Sequence, residues 1–274
     1  MILHDEKNYT EYDVESPKAM SAYFRYCLHE RNKKDVDKEK YLKEMYESLP
    51  SAKKRLINVL VQDLLSKSKR WKIFKVYLDR FIKTDCVLNN LKIENVGKLE
   101  KYIYSYMVAS KKYADRVIDN KKVHSAMQRL EKDNAPQEKN VYVSILADFF
   151  NISKEVLLTG QGNRYYLNYD YIQLILDNKK EDYNEFVNKV CNHGQLANGI
   201  TNTERKNYAF YVNHSYRVFA ELASELLCVN IDNILIAEPC WVELKDYPFI
   251  EFYKELSYDN QNIVQHVLFN LNLK

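Results

Sequence analysis

Residues Leu146–Gly160 read LADFFNISKEVLLTG. Leu146, Ala147 and Phe150, with Val143 one turn earlier, share one helical face, and the small Ala147 lets a neighbour approach closely. Asn151 and Ser153 then supply a turn, since both side chains compete with a helix for backbone groups. Val156, Leu157 and Leu158 form a second short helix, and Gly160 ends it. Upstream stands RLEKDNAP, Arg129–Pro136, the end of another helix and a polar loop.

The composition around this stretch predicts an all-α protein. The chain has 274 residues, 46% of them hydrophobic, which is enough for two or three small domains with real cores. Gly and Pro number five each, too few for a fold of many strands and tight turns. Five cysteines, at 27, 86, 191, 228 and 240, show no CxxC spacing and point to a reducing compartment. The opening MILHDEKNYTEYD lacks an apolar core, and no apolar run approaches the ~20 residues that span a bilayer, so the expected location is cytoplasmic: bacterial, or host cytoplasm if phage-encoded. Net charge is +3, unevenly spread. Residues 1–163 hold 31 Lys and Arg against 23 Asp and Glu, a net of +8; residues 164–274 hold 10 against 15, a net of −5. A basic front half could lie against phosphates, or be ordinary solvated helix surface.

Periodicity divides the chain into four expected regions: 1–95, 96–163, 164–240 and 241–274. Ser16-Pro17 reads as a helix start ahead of Met20, Tyr23, Phe24, Cys27 and Leu28. Glu30 to Lys40 reads as a charged linker, and Ser51 as the cap of a helix with Leu56, Val59, Leu60 and Leu64 inward. Lys67 to Lys83, KSKRWKIFKVYLDRFIK, interleaves cations with Trp71, Phe74, Tyr77 and Phe81. It could buttress a DNA contact, but an amphipathic packing helix with a solvated basic face is the favoured reading. Beyond Gly97, five short helices are expected: one around Leu99, Tyr102, Ile103 and Tyr106; one over about Lys111–Ile118; one over Asn120–Leu130 with Val123, Met127 and Leu130 inward; and the two of the opening stretch. Leu222–Leu235, LASELLCVNIDNIL, echoes that stretch. Tyr113, Val117, Val123 and Met127 have counterparts 73 residues on in Phe186, Val190, Leu196 and Ile200, which predicts a second copy. The tail FIEFYKELSYDNQNIVQHVLFNL reads as two helices packing on or pairing that second domain.

Arg129–Pro136 and Leu146–Gly160, in this order and spacing, resemble the second half of the phage-repressor (XRE/Cro-type) helix-turn-helix domain, with a degenerate second copy. The resemblance implies tandem five-helix domains and makes Asn120–Leu130 a recognition helix lying in the major groove of double-stranded DNA. Asn120 would cap it. Lys121, Lys122, His124, Ser125, Gln128 and Arg129 would face outward, with Lys122, His124, Ser125 and Gln128 at base edges. Lys111 and Lys112, opening the second helix, and Arg129 and Lys132 are the expected phosphate contacts. Glu131 matches an acidic residue of the family and is expected to be structural. The row KKYADRVI departs from the family, which opens its second helix with Gln and follows it with Leu-Ala. In the second copy the third helix would be His193–Thr203, weakened by Gly194 and Gly199, with Gln195 and Asn198 as its adenine-bonding residues. That copy suits dimerisation or partner binding better than DNA.

No phosphate-cradling Gly loop, HExxH motif or nucleophile–base spacing occurs. Cys27-x-His29 and Cys191-x-His193 each lack the second pair that a structural zinc needs; His214 and His266 read as packing or surface, and Glu181-Asp182 as solvated. The sequence therefore predicts no enzyme, no metal and no cofactor. It predicts a homodimeric repressor of phage or mobile-element type that binds double-stranded DNA. The alternative is an anti-CRISPR-like inhibitor of a host defence system, meeting its protein partner through 1–95 or 164–274; an antitoxin is a third reading.

Overall fold

A computed structural model of the protein describes residues 2–3, 12–13, 35–66, 71–88, 93, 96–131, 140–242 and 248–272. It is mostly helical, with two small antiparallel sheets. Among the described residues no helix is long and apolar enough to cross a membrane. The helix expected after Ser16-Pro17 lies outside the described residues. The chain forms two compact units, Met1–Lys69 with Lys245–Lys274, and Arg70–Leu244.

The first unit joins the two ends of the chain. Strands β1 (Ile2–Leu3) and β2 (Tyr12–Asp13) pair antiparallel. Helices α1 (Asp35–Glu47) and α2 (Ser51–Leu64) pack against α13 (Phe249–Lys254) and α14 (Tyr258–Asn272). The tail is thus two helices, as its periodicity predicts, and they pack on α1 and α2 within the first unit. Helix α1 also begins inside the stretch expected to be a linker. Helix α2 is rotated from the expected face: Ile57, Asn58, Val61 and Gln62 are buried, and Leu56 is 61% exposed. The buried amide explains the rotation, because Asn58 Oδ1 accepts the Tyr46 hydroxyl at 2.8 Å. Pro50 stands at the N-cap, and Ser51 is the first helical residue. Tyr46 stacks on Phe249 at 4.5 Å between centroids, and Asn260 Nδ2 donates to the Leu64 carbonyl at 3.1 Å.

The second unit starts with α3 (Trp71–Leu88), whose Ile73, Phe74, Tyr77, Leu78, Phe81 and Ile82 are buried. The chain continues through α4 (Val96–Ala109), a 3-10 turn (Lys111–Tyr113), α5 (Asn120–Glu131), α6 (Val141–Phe149), α7 (Lys154–Thr159) and β3 (Gln161–Leu167). It then forms α8 (Tyr169–Lys179), α9 (Tyr183–Gly194), α10 (Asn202–His214), α11 (Tyr216–Leu227), α12 (Ile231–Ile234) and β4 (Leu235–Trp241). Helix α3 lies on α7: Phe81 stacks on Phe150, and the Tyr77 ring sits against Gly160. The aromatic-rich basic helix is therefore a packing helix, and it belongs to the same compact unit as α4.

The two repeat-like stretches fold alike and then continue into strands. Helix α6 turns through Asn151 (φ 56°) into α7 and β3; α11 turns through Cys228 (φ 56°) into α12 and β4. The strands pair antiparallel from Gln161↔Trp241 to Leu167↔Leu235. Residues 151–153 flank the other edge of β3, where Ser153 N–H donates to Asn163 O and Tyr165 N–H to Asn151 O, each at 2.8 Å. The expected 163/164 boundary therefore cuts a strand. Helix α10 packs along α4, with Tyr106 stacked on Tyr211 at 4.1 Å and Tyr102 on Phe210 at 4.4 Å.

Candidate nucleic-acid interface

Helix α5 starts where Asp119 supplies the cap. Its Oδ1 accepts the Lys121 N–H at 2.9 Å, so the capping residue is Asp119 and Asn120 is the first helical residue. Val123, Met127 and Leu130 recur at i, i+4 and i+7 and are buried, and α5 is anchored by this face on α4. The opposite face carries Lys121, Lys122, His124, Ser125, Gln128 and Arg129, all of them exposed. These six are therefore brought together on one solvent-facing stripe. Lys132 and the Glu131 side chain lie outside the described residues.

The stripe is partly organised. Glu100 Oε2, from α4, stands 2.6 Å from His124 Nδ1, and Gln128 Nε2 stands 2.7 Å from His124 Nε2. Sequence periodicity missed Glu100, because it lies on a different helix 24 residues away.

The second helix of the expected motif is not formed. Lys111–Tyr113 makes one 3-10 turn, capped by Ser110, and residues 114–117 then run exposed in non-helical backbone. Val117, expected to be a core position of a repeat, is 89% exposed. The reason is tertiary. The Leu196 N–H donates to the Ala109 carbonyl at 2.7 Å, and Ser110 bridges Gln195, which holds Ser110 in extended backbone. Beyond it, the Tyr113 ring is buried edge-on to Tyr106 at 5.7 Å. Lys111 donates to the His193 carbonyl at 2.7 Å, and Lys112 pairs with Glu221 at 3.1 Å. Both expected phosphate lysines are thus engaged within the unit, apart from the α5 stripe.

Lys112 belongs to a charged cluster over the aromatic core. Burial raises the Asp148 carboxyl to about 6, countered in part by Arg217 and Lys112 and reinforced by Glu221. Arg217 is 3.5 Å from Glu221, and its guanidinium lies over the Tyr165 ring. Burial also lowers the His214 imidazole, which stacks on Phe210 at 4.2 Å.

The stretch expected to form a second copy places its residues differently from expectation. The helix there is α10, Asn202–His214, rather than one over His193–Thr203. Gly194 is the last residue of α9, and Gly199 lies in an exposed loop. Gln195, expected to read adenine, is buried and accepts Arg205 Nη1 at 2.8 Å. Asn198 is exposed in the loop before α10. Cys191 is buried beside Asn213, while His193 pairs with Glu225 at 2.7 Å, so the two do not face a shared site. Among the described residues no group of three or more His, Cys, Asp and Glu is placed to hold a metal ion.

Fold and site together define a mostly helical protein that presents one polar, cation-bearing helix face. No family model matches the chain, no curated protein matches it, and no solved structure matches it. The functional reading therefore rests on the residues of this chain.

Proposed function

We propose that the protein is a double-stranded-DNA-binding regulator of repressor type that lays α5, anchored on α4, in the major groove. One observation carries this reading: the exposed stripe of Lys121, Lys122, His124, Ser125, Gln128 and Arg129, opposite an anchored apolar face. A helix of 12 residues is about 18 Å long, and the major groove, about 12 Å wide, admits it. Lys121 and Lys122 stand in the first turn, where the helix dipole adds to their attraction for phosphate. Gln128 and Ser125 have the donors and acceptors that base edges require, and the exposed Val117 suits a thymine methyl group. Lys111 and Lys112 are not assigned to phosphate. A homodimer reading two half-sites remains part of the proposal.

Anisotropy of a labelled duplex, titrated with protein across salt concentrations, tests this. Each phosphate contact contributes about 0.9 to the slope of log K against log salt. The double variant Lys121→Ala, Lys122→Ala is expected to lower the slope by about 2, and Lys111→Ala to leave it in place. No measurable duplex binding at about 100 mM salt would end the proposal. The protein-inhibitor reading, with its partner met through 1–95 or 164–274, would then be taken up, and recovery of a specific protein partner would support it.

A further inference from the structure

Glu100, His124 and Gln128 form a chain that runs from α4 onto the exposed stripe. With Gln128 Nε2 facing the ring, the donors and acceptors of the three groups match in one arrangement of protons. The Glu100 carboxylate only accepts hydrogen bonds, so His124 Nδ1, 2.6 Å away, must carry a hydrogen. The Gln128 amide nitrogen only donates, so His124 Nε2, 2.7 Å away, must offer a lone pair. Both contacts select the same neutral tautomer, with Nδ1–H.

That tautomer fixes the Gln128 amide. With its nitrogen turned to the imidazole, the amide can give one hydrogen to His124. It keeps the other hydrogen, on the side of its oxygen, together with the oxygen itself. A donor and an acceptor side by side in fixed order match the N7 and the N6 amino group of adenine in the major groove. If the ring instead carried its hydrogen on Nε2, only Gln128 Oε1 could answer it. The amide would turn over, and donor and acceptor would change places.

We infer that Glu100 is a positioning residue: through His124 it sets the orientation of Gln128, and so the order of donor and acceptor offered to one base of the duplex. The inference rests on the DNA-binding reading above, and it makes adenine the base facing Gln128. Glu100 touches no DNA in this arrangement. It acts from the anchoring helix, where its side chain is only 18% exposed.

Two measurements test it on the full-length protein. The first is the nitrogen chemical shifts of His124 in protein labelled with 15N-histidine, without DNA. The wild type should show the Nδ1–H tautomer at neutral pH, and Glu100→Leu should show a mixture with the Nε2–H form. An Nε2–H form or an imidazolium in the wild type overturns the inference, whatever the protein does with DNA. The second is affinity for a selected duplex against duplexes substituted one base pair at a time. Wild type should prefer A·T at one position, and Glu100→Leu should reduce that preference about tenfold. His124→Ala, a change at a half-exposed surface position, should give the same loss, and the double variant no more than either alone. An unchanged preference in a folded Glu100→Leu protein, or additive losses, overturns the inference while leaving the DNA-binding reading intact. Absence of duplex binding with the correct tautomer overturns both.

Discussion

Burial makes Asp148 costly when ionised. Its carboxyl is raised to about 6, with Glu221 adding to the effect and Arg217 and Lys112 opposing it. A carboxyl raised on folding stabilises the fold fully below its unfolded value, near 4, and loses that contribution as pH rises through about 6. Stability should therefore fall between about pH 4 and 6 from this group and stay flat above it. Asp148→Asn removes the cost, so it should stabilise at pH 7.5 by up to about 2–3 kcal/mol, or roughly 5–10 °C in melting temperature, and little at pH 4. Thermal melts of both proteins at the two pH values check this, and equal shifts at both would refute it. Nothing in LADFF marks Asp148 as buried, because helical periodicity places it beside, not on, the apolar face. The contacts of Lys111 and Lys112 are likewise not legible locally. Residue type predicts a phosphate contact, but their partners, the His193 carbonyl and Glu221, come from helices about 80 and 110 residues away. The α5 stripe was legible because Val123, Met127 and Leu130 fix the buried side, and every outward position then follows from 3.6 residues per turn.

At the scale of elements, the stretch Leu146–Gly160 folds as its pattern predicts, and the glycine that ends it has two jobs. Gly160 has φ +81°, and a Cβ there would lie 2.1 Å from the Tyr77 hydroxyl oxygen. Gly199 has φ +83° with nothing within 4 Å of the same point. Gly199→Ala should thus cost only the left-handed strain, about 1 kcal/mol, whereas Gly160→Ala adds the displacement of a buried ring on α3, for a total of about 2–4 kcal/mol. Denaturant melts of the two variants separate the terms, and equal losses would mean that Tyr77 yields freely. The strands β3 and β4 were missed because each is short and follows directly on a short helix. QGNRYYL and LIAEPCW lack the strict alternation of a half-buried strand, and the burial of β3 is irregular along its length. The missing helix after Ser110 has the opposite cause. KKYADRVI is compatible with a helical turn, but the bridge of Ser110 to Gln195 and the burial of Tyr113 hold the backbone out of it.

At the scale of the whole molecule, periodicity located the tail helices but not their partners, since nothing local in a sequence records that residue 272 lies beside residue 45. The contact is built from specific groups: Asn272 Nδ2 donates to the Met45 carbonyl at 3.2 Å, and Lys53 Nζ donates to the Leu271 carbonyl at 2.5 Å. Beneath them the core mixes both ends, with Leu42, Ile57 and Val61 from α1 and α2 and Phe252, Val264 and Leu268 from α13 and α14 all buried. Two helices of 13 and 14 residues cannot bury such faces against each other alone. Removal of residues 245–274 should therefore cost the first unit its fold. The second unit closes its own core through α4, α10 and the β3–β4 pair, and it should survive. Hydrogen exchange followed by mass spectrometry reads the two outcomes separately. In the truncated protein the amides of 35–66 should lose essentially all protection, and those of α4, α6, α10 and α11 should keep it. Persistent protection in 35–66 would show that α1 and α2 find another cover. Loss of protection throughout would show that the two units fold as one cooperative body, and that the division at residues 69 and 245 is one of geometry without being one of stability.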